Sequence, residues 1–146
     1  MTVTILIGLP ASGKSTVSKK IENTFVKVLS SDAIRAELYG DEATQGNPAD
    51  VFGLLYNRMD NLLSDGFSVI IDATNICKRE RSEAIRIAKK HGARVEALVM
   101  DTPFAECVRR NDVRERKVPG FVFDRMIAKY EEPTLSEGFD LICNTH

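Results

Sequence analysis

Apolar residues along this chain fall into short runs, separated by stretches in which they recur every three or four positions. The runs are residues 2–7 (Thr-Val-Thr-Ile-Leu-Ile), 26–29 (Val-Lys-Val-Leu), 67–72 (Phe-Ser-Val-Ile-Ile-Asp), 93–100 (Ala-Arg-Val-Glu-Ala-Leu-Val-Met) and 139–143. Their length and content predict five strands. Val17 and Ile21, four apart among Ser and Lys, predict an amphipathic helix after the first strand. Asn47 as N-cap and Pro48 at the first position open another, with a core stripe of Val51, Leu55, Met59 and Leu62 and a stop at Gly66. A third helix runs from about Lys78 to His91 and stops at Gly92. A fourth starts at Thr102-Pro103 and buries Phe104, Cys107 and Val108. A fifth, near Val122 to Tyr130, carries Val122, Met126 and Tyr130 and ends before Pro133. Strands alternating with helices imply βαβ units, a parallel sheet and right-handed crossovers, hence an α/β fold. Residues 40–46 are the most loop-like stretch, and neither repeat nor linker divides residues 1–146, which suit one domain.

Charge adds little to that outline. The formal net charge is −1, so no global basic field advertises nucleic acid. Its distribution is uneven: residues 31–66 hold seven acids against Arg35 and Arg58, while residues 78–94 hold seven basic groups against Glu80 and Glu83. Two solvated faces explain this pattern. Cys77, Cys107 and Cys143 match no zinc or redox spacing, which fits a reduced, cytoplasmic setting. No apolar stretch is long enough to span a membrane, and His91, next to Gly92, reads as a helix C-terminal residue.

Candidate chemistry changes the picture more. Residues 8–16, Gly8-Leu9-Pro10-Ala11-Ser12-Gly13-Lys14-Ser15-Thr16, satisfy G-x-x-x-x-G-K-[ST] between a predicted strand and a predicted helix. Glycines there let backbone N–H groups turn inward around a phosphate, lysine adds a mobile charge, and the Ser15 hydroxyl can hold Mg²⁺. The motif predicts a nucleoside triphosphate on a helix N-terminus. In a parallel sheet, ligands sit beyond the carboxyl ends of the strands. After the second strand come Asp32 and Arg35, one helical turn apart. Asp32 can take the proton of an attacking hydroxyl while Arg35 grips an anionic acceptor, or Asp32 or Ser31 simply caps the helix. After the third strand comes Asp72-Ala73-Thr74-Asn75. Asp72 suits a role holding Mg²⁺ or its water, and Thr74 and Asn75 can bond substrate or fix the loop. Residues 109–119 read as a short lid in which Arg110 and Arg114 point the same way if the helix continues. Arginines there can close over the triphosphate, or they can form a solvated helix end.

Taken together, GLPASGKST, Asp32-x-x-Arg35, Asp72-Ala73-Thr74-Asn75 and Arg110-Asn111-x-x-Arg114 before Val118-Pro119 resemble the kinase domain of the polynucleotide 5′-hydroxyl kinase family. The resemblance covers nearly the whole chain. It implies a P-loop kinase fold, a three-layer sandwich with a five-stranded parallel sheet of order 2-3-1-4-5. It implies ATP and Mg²⁺ held by Lys14 and Ser15, Asp32 as general base for the 5′-hydroxyl of a DNA or RNA end, Arg35 on the acceptor phosphate and Arg114 on the donor phosphates. Small-molecule kinases of gluconate, shikimate and adenylylsulfate, and zeta-toxin-like sugar-nucleotide kinases, share the same core. An acidic chain suits a short single-stranded end better than a long duplex.

Overall fold

The computed structural model describes residues 1–41, 46–114 and 118–145. Residues 42–45 of the loop-like stretch and 115–117 of the expected lid lie outside the described residues. In chain order the elements are β1 (Thr2–Ile7), α1 (Lys14–Ile21), β2 (Val26–Ser30), α2 (Ser31–Tyr39), α3 (Pro48–Ser64) and β3 (Ser68–Asp72). There follow α4 (Lys78–Lys90), β4 (Arg94–Val99), α5 (Phe104–Val113), α6 (Gly120–Lys129), a 3₁₀ turn at Leu135–Glu137 and β5 (Leu141–Asn144).

The five strands form one sheet in the order β2-β3-β1-β4-β5, with every neighbouring pair parallel. The expected order is the observed one, and the fold is a P-loop NTPase fold of kinase type. Strand alternation sorts side chains between two helical layers. Val3, Ile5, Ile7, Val69, Ile71, Val95 and Ala97 pack with α3 and α4. Leu6 and Ile70 pack on the other face against Val17 of α1. A third cluster, Leu9, Ile76, Cys107 and Phe123, joins the loop after β1 to α5 and α6.

Several expected side-chain placements are corrected. The buried stripe of α3 is Val51, Leu55, Met59 and Leu63, with Leu62 only half-buried. Steps of four precess about 40° each around a helix of 3.6 residues per turn, and α3 keeps that step to its end. Ile21 is 40% exposed while Ser18 is buried, because α1 turns a polar face toward the sheet edge where Asp72 lies. Phe104 is 38% exposed and rests edge-on against Tyr130, 5.2 Å between centroids. In α6 the buried anchor is Phe123. The last strand begins at Leu141, since Phe139 is buried ahead of it and Asp140 accepts the Val95 N–H at 2.8 Å.

Candidate active site

At the C-terminal end of β1 the chain swings through Gly8–Gly13 into α1. A Cβ on Gly8 would stand 2.6 Å from Ser12 Oγ and 2.7 Å from Met100 Cγ, so only glycine fits. Gly13 takes φ 101° as the N-cap of α1, and Ala11 is left-handed at φ 66°, a strained conformation for a residue with a Cβ. The Ser12 N–H donates to Leu9 O at 3.2 Å and closes the turn. Lys14 Nζ arches back to donate to Gly8 O at 3.0 Å and Leu9 O at 2.8 Å. Burial lowers its pKa to about 8; Asp72 and Asp32 work against that fall, and Arg114 reinforces it. Ser15 and Thr16 are exposed in the first turn of α1, where backbone N–H groups lack intrahelical acceptors. Pro10 is half-exposed beside them.

Asp72 ends β3, next to β1 in the sheet, and is 7% exposed. It accepts from Ser15 Oγ at 3.3 Å and Ser18 Oγ at 3.4 Å. Burial pushes its pKa up, opposed by Lys14 and the two hydroxyls. The Ser15 hydroxyl and Asp72 carboxylate are hard oxygen donors that fit Mg²⁺, whose other ligands would be phosphate and water. Among the described residues, no group of three or more His, Cys, Asp or Glu could hold a metal ion.

On α2 the capping question is answered by a third residue. Ser30 is the N-cap, its Oγ accepting from the Ala33 N–H at 3.2 Å. The Asp32 carboxylate is left 62% exposed and pairs with Arg35 Nη1 at 2.8 Å. Its charge raises the pKa of both Lys14 and Asp72, so it lies within electrostatic reach of the phosphate loop. The Arg35 Nε is buried with no hydrogen-bond partner among the described residues.

The helix under the expected lid does not continue. α5 ends at Val113, and Arg114 is its C-cap in extended conformation, φ −87° and ψ 151°, so Arg110 and Arg114 do not share a helical face. Arg114 still acts on Lys14 electrostatically. Arg110 donates to Ala11 O at 3.4 Å and pairs with Glu106 at 3.1 Å. Buried Asn111 donates to Val118 O at 2.7 Å and accepts its N–H at 2.8 Å, clamping the described ends of the segment together.

A family model described as an AAA domain (AAA_33) matches residues 3–133. The chain belongs to that family. It is 29% identical over 149 residues to an L-seryl-tRNA(Sec) kinase of Methanococcus maripaludis, a match covering 94% of this chain and 55% of that protein. Kti12 of Chaetomium thermophilum in complex with ADP-AlF3 superposes with a TM-score of 0.76 at 18% identity, over 98% of this chain and 88% of that one, a likeness of fold. A chain of the Pnkp1/Rnl/Hen1 RNA repair complex gives 0.75 at 26% identity, over 88% of this chain and 43% of that one. The chain spans about half the length of the tRNA kinase and of the KTI12 homologues it matches.

In this member of the AAA domain family, Thr74 and Asn75 divide between them the roles their turn allowed. Asn75, at φ 49° and 4% exposed, donates to Leu6 O at 2.8 Å and Ala73 O at 3.3 Å, and so fixes the loop rather than presenting its amide to a ligand. Thr74 is half-buried, and its carbonyl accepts the Gly8 N–H at 3.0 Å. Three contributors lay outside the sequence reading. Ser18 holds Asp72, and its place one turn after Ser15 was the available signal. Thr102 Oγ1 donates to Ser12 O at 2.9 Å. Fully buried Arg81 donates to Asn75 O at 2.9 Å, Glu131 O at 3.0 Å and both carboxylate oxygens of Glu137. Nothing local marks Arg81, which sits in a run of charges.

Proposed function

We propose that this chain is a phosphotransferase that delivers the γ-phosphate of ATP, with Mg²⁺, to the 5′-hydroxyl of a DNA or RNA end. The observation that carries this reading is Arg35, whose buried Nε lacks a partner while its Nη1 rests on Asp32. A carboxylate beside a guanidinium with unspent donor capacity suits a hydroxyl that has an anion next to it. A terminal nucleotide with its 3′-phosphate has both. Taking up that phosphate draws Arg35 off Asp32 and frees the carboxylate to accept the hydroxyl proton. The acceptor oxygen then bonds to the γ-phosphorus, the bond to the β–γ bridging oxygen breaks, and ADP leaves. Positioning and charge neutralisation carry most of the acceleration. Gly8, Pro10, Ala11, Ser12 and Gly13 shape the phosphate cradle, and Ser15 and Thr16 complete the helix N-terminus. Lys14 neutralises the β- and γ-oxygens, Arg114 approaches from the lid side, and Arg110 stays by Ala11. When bound between Ser15 and Asp72, Mg²⁺ supplies further neutralisation of the phosphate charge. Similarity to a chain of an RNA repair complex supports a nucleic-acid acceptor. Similarity to an L-seryl-tRNA(Sec) kinase favours a second reading, a seryl hydroxyl carried on RNA.

The test is transfer of label from γ-labelled ATP to a 5′-hydroxyl oligonucleotide, a nucleoside 3′-monophosphate, a nucleoside, seryl-tRNA, gluconate and shikimate in parallel. Oligonucleotide and 3′-monophosphate should label alike. The nucleoside should label roughly ten- to a hundred-fold less efficiently, having lost a charge-assisted pair of about 1.5–3 kcal/mol. Arg35→Ala should narrow that gap. Labelling of gluconate or shikimate with the oligonucleotide inert overturns the proposal, and labelling of seryl-tRNA alone selects the second reading.

A further inference from the structure

Beside the turn that follows Asp72 lies a groove of about 460 Å³ to which the phosphate-loop motif assigns no role. Its floor is Ala73-Thr74-Asn75, and Thr74 accepts the Gly8 N–H, so one end of the groove abuts the phosphate loop. One wall is the first half of α3, where half-buried Phe52 and Tyr56 stand 6.1 Å apart between centroids at an interplanar angle of 36°. The opposite wall is the start of α4 with Arg79 and Glu80, and Lys129 of α6 closes the side. Glu80 is paired with Lys129 at 3.4 Å, and Glu83 with Arg86. Arg79 has no ion-pair or hydrogen-bond partner for its side chain among the described residues and is exposed at the mouth. Burial, with Glu83 and Glu80 adding to it, pushes the Tyr56 phenol up to about 12, so it stays an uncharged aromatic surface.

We infer that this groove takes the base of the acceptor's terminal nucleotide, stacked on Phe52 and Tyr56, with Arg79 on the next anionic group along the strand. The inference rests on the proposed function and extends it from the reacting atoms to the base. A volume of this size admits a single nucleotide. An aromatic wall holds any flat base by its face, without demanding a particular sequence. The acids of the groove are already paired, and a single uncommitted arginine matches one phosphate. A continuous basic track for a long backbone would need more. Recognition here is therefore of an end, one base deep.

The probe is a short 5′-hydroxyl oligonucleotide with 2-aminopurine as its terminal base, added to the full chain with its fluorescence and anisotropy recorded. Stacking should quench the fluorophore on binding. Phe52→Ala should abolish the quench and weaken binding about ten-fold, Phe52→Tyr should restore both, and Arg79→Ala should weaken binding several-fold with the quench retained. A thermal melt of each variant separates loss of fold from loss of stacking. Quench and its loss in Phe52→Ala without any phosphoryl transfer would uphold the groove and sink the 5′-kinase reading. Transfer by the wild type with no quench, and with KM unmoved in Phe52→Ala and Arg79→Ala, would overturn the groove and leave the kinase reading standing. Absence of oligonucleotide binding by the wild type overturns both.

Discussion

Burial brings the Lys14 pKa to about 8, so the charge proposed to grip phosphate titrates just above neutrality in the free protein. A triphosphate beside the ammonium raises that pKa. Below about 8 the lysine is already protonated and affinity for ATP is flat with pH. Above it each binding event must take up a proton, so affinity falls as pH rises, by up to about tenfold per unit. Calorimetric titration of ATP between about pH 6.5 and 9.5 should show this slope, and Lys14→Met should remove it along with most of the affinity. Asp32 is tested by a substitution that keeps its shape. Asp32→Asn still accepts a hydrogen bond from Arg35 but cannot take the proton. Turnover should drop by roughly 10² to 10⁴ with ATP affinity nearly unchanged, in steady-state kinetics run beside an ATP titration. An equal loss of ATP binding would make Asp32 a metal or nucleotide ligand instead.

Between elements, the turn from β3 to α4 is held by a charge inside the protein. The Arg81 side chain is 0% exposed and that of Glu137 8%, and they meet at 2.8 Å. Burial works to raise the Glu137 pKa, but the Arg81 and Thr134 hydrogen bonds outweigh it and hold the carboxyl below its ordinary range. Its contribution to stability is therefore present above the unfolded carboxyl pKa and lost as pH falls through the folded one. Arg81→Met strands a buried carboxylate and should destabilise the protein by about 3–5 kcal/mol, whereas Arg81→Met with Glu137→Leu should recover only the part owed to that carboxylate, because the Asn75 and Glu131 carbonyls still lack their donor. Urea denaturation of the two variants checks the difference. The contrast between Arg81 and Ser15 explains what the sequence let us read. Residues 8–16 announce themselves because backbone path, cation and hydroxyl all come from one contiguous stretch. The strand order was legible only through the family resemblance those motifs carry, since nothing in the alternation of strands and helices alone orders a parallel sheet. Arg81 was not, because its burial depends on acceptors 50 and 56 residues away, and a charge among charges reads as solvated. Leu63 and Ile21 escaped for a related reason: periodicity places a face to within a residue or two, and neighbouring layers choose the rotation.

At the scale of the whole molecule, the parallel sheet gathers residues from four separate strand ends onto one edge. Ile7, Ser30, Asp72 and Val99 close β1 to β4, and the phosphate loop, Asp32 and the Asp72 turn follow directly. Nucleotide bound there would bridge the phosphate loop, α1 and the end of β3, and so would stabilise only the native arrangement. At about a hundred times its dissociation constant, ATP with Mg²⁺ should add about 2.7 kcal/mol, a rise in Tm of about 5–10 °C that Lys14→Ala abolishes in a thermal melt. The Arg81 clasp has a further consequence, in the order of synthesis. The ribosome releases Lys14, Asp32 and Asp72 well before Glu131 and Glu137, the residues that complete the clasp on the Asn75 carbonyl. A growing chain therefore carries the phosphate loop, Asp32 and Asp72 while the turn after Asp72 still lacks the residues that latch it.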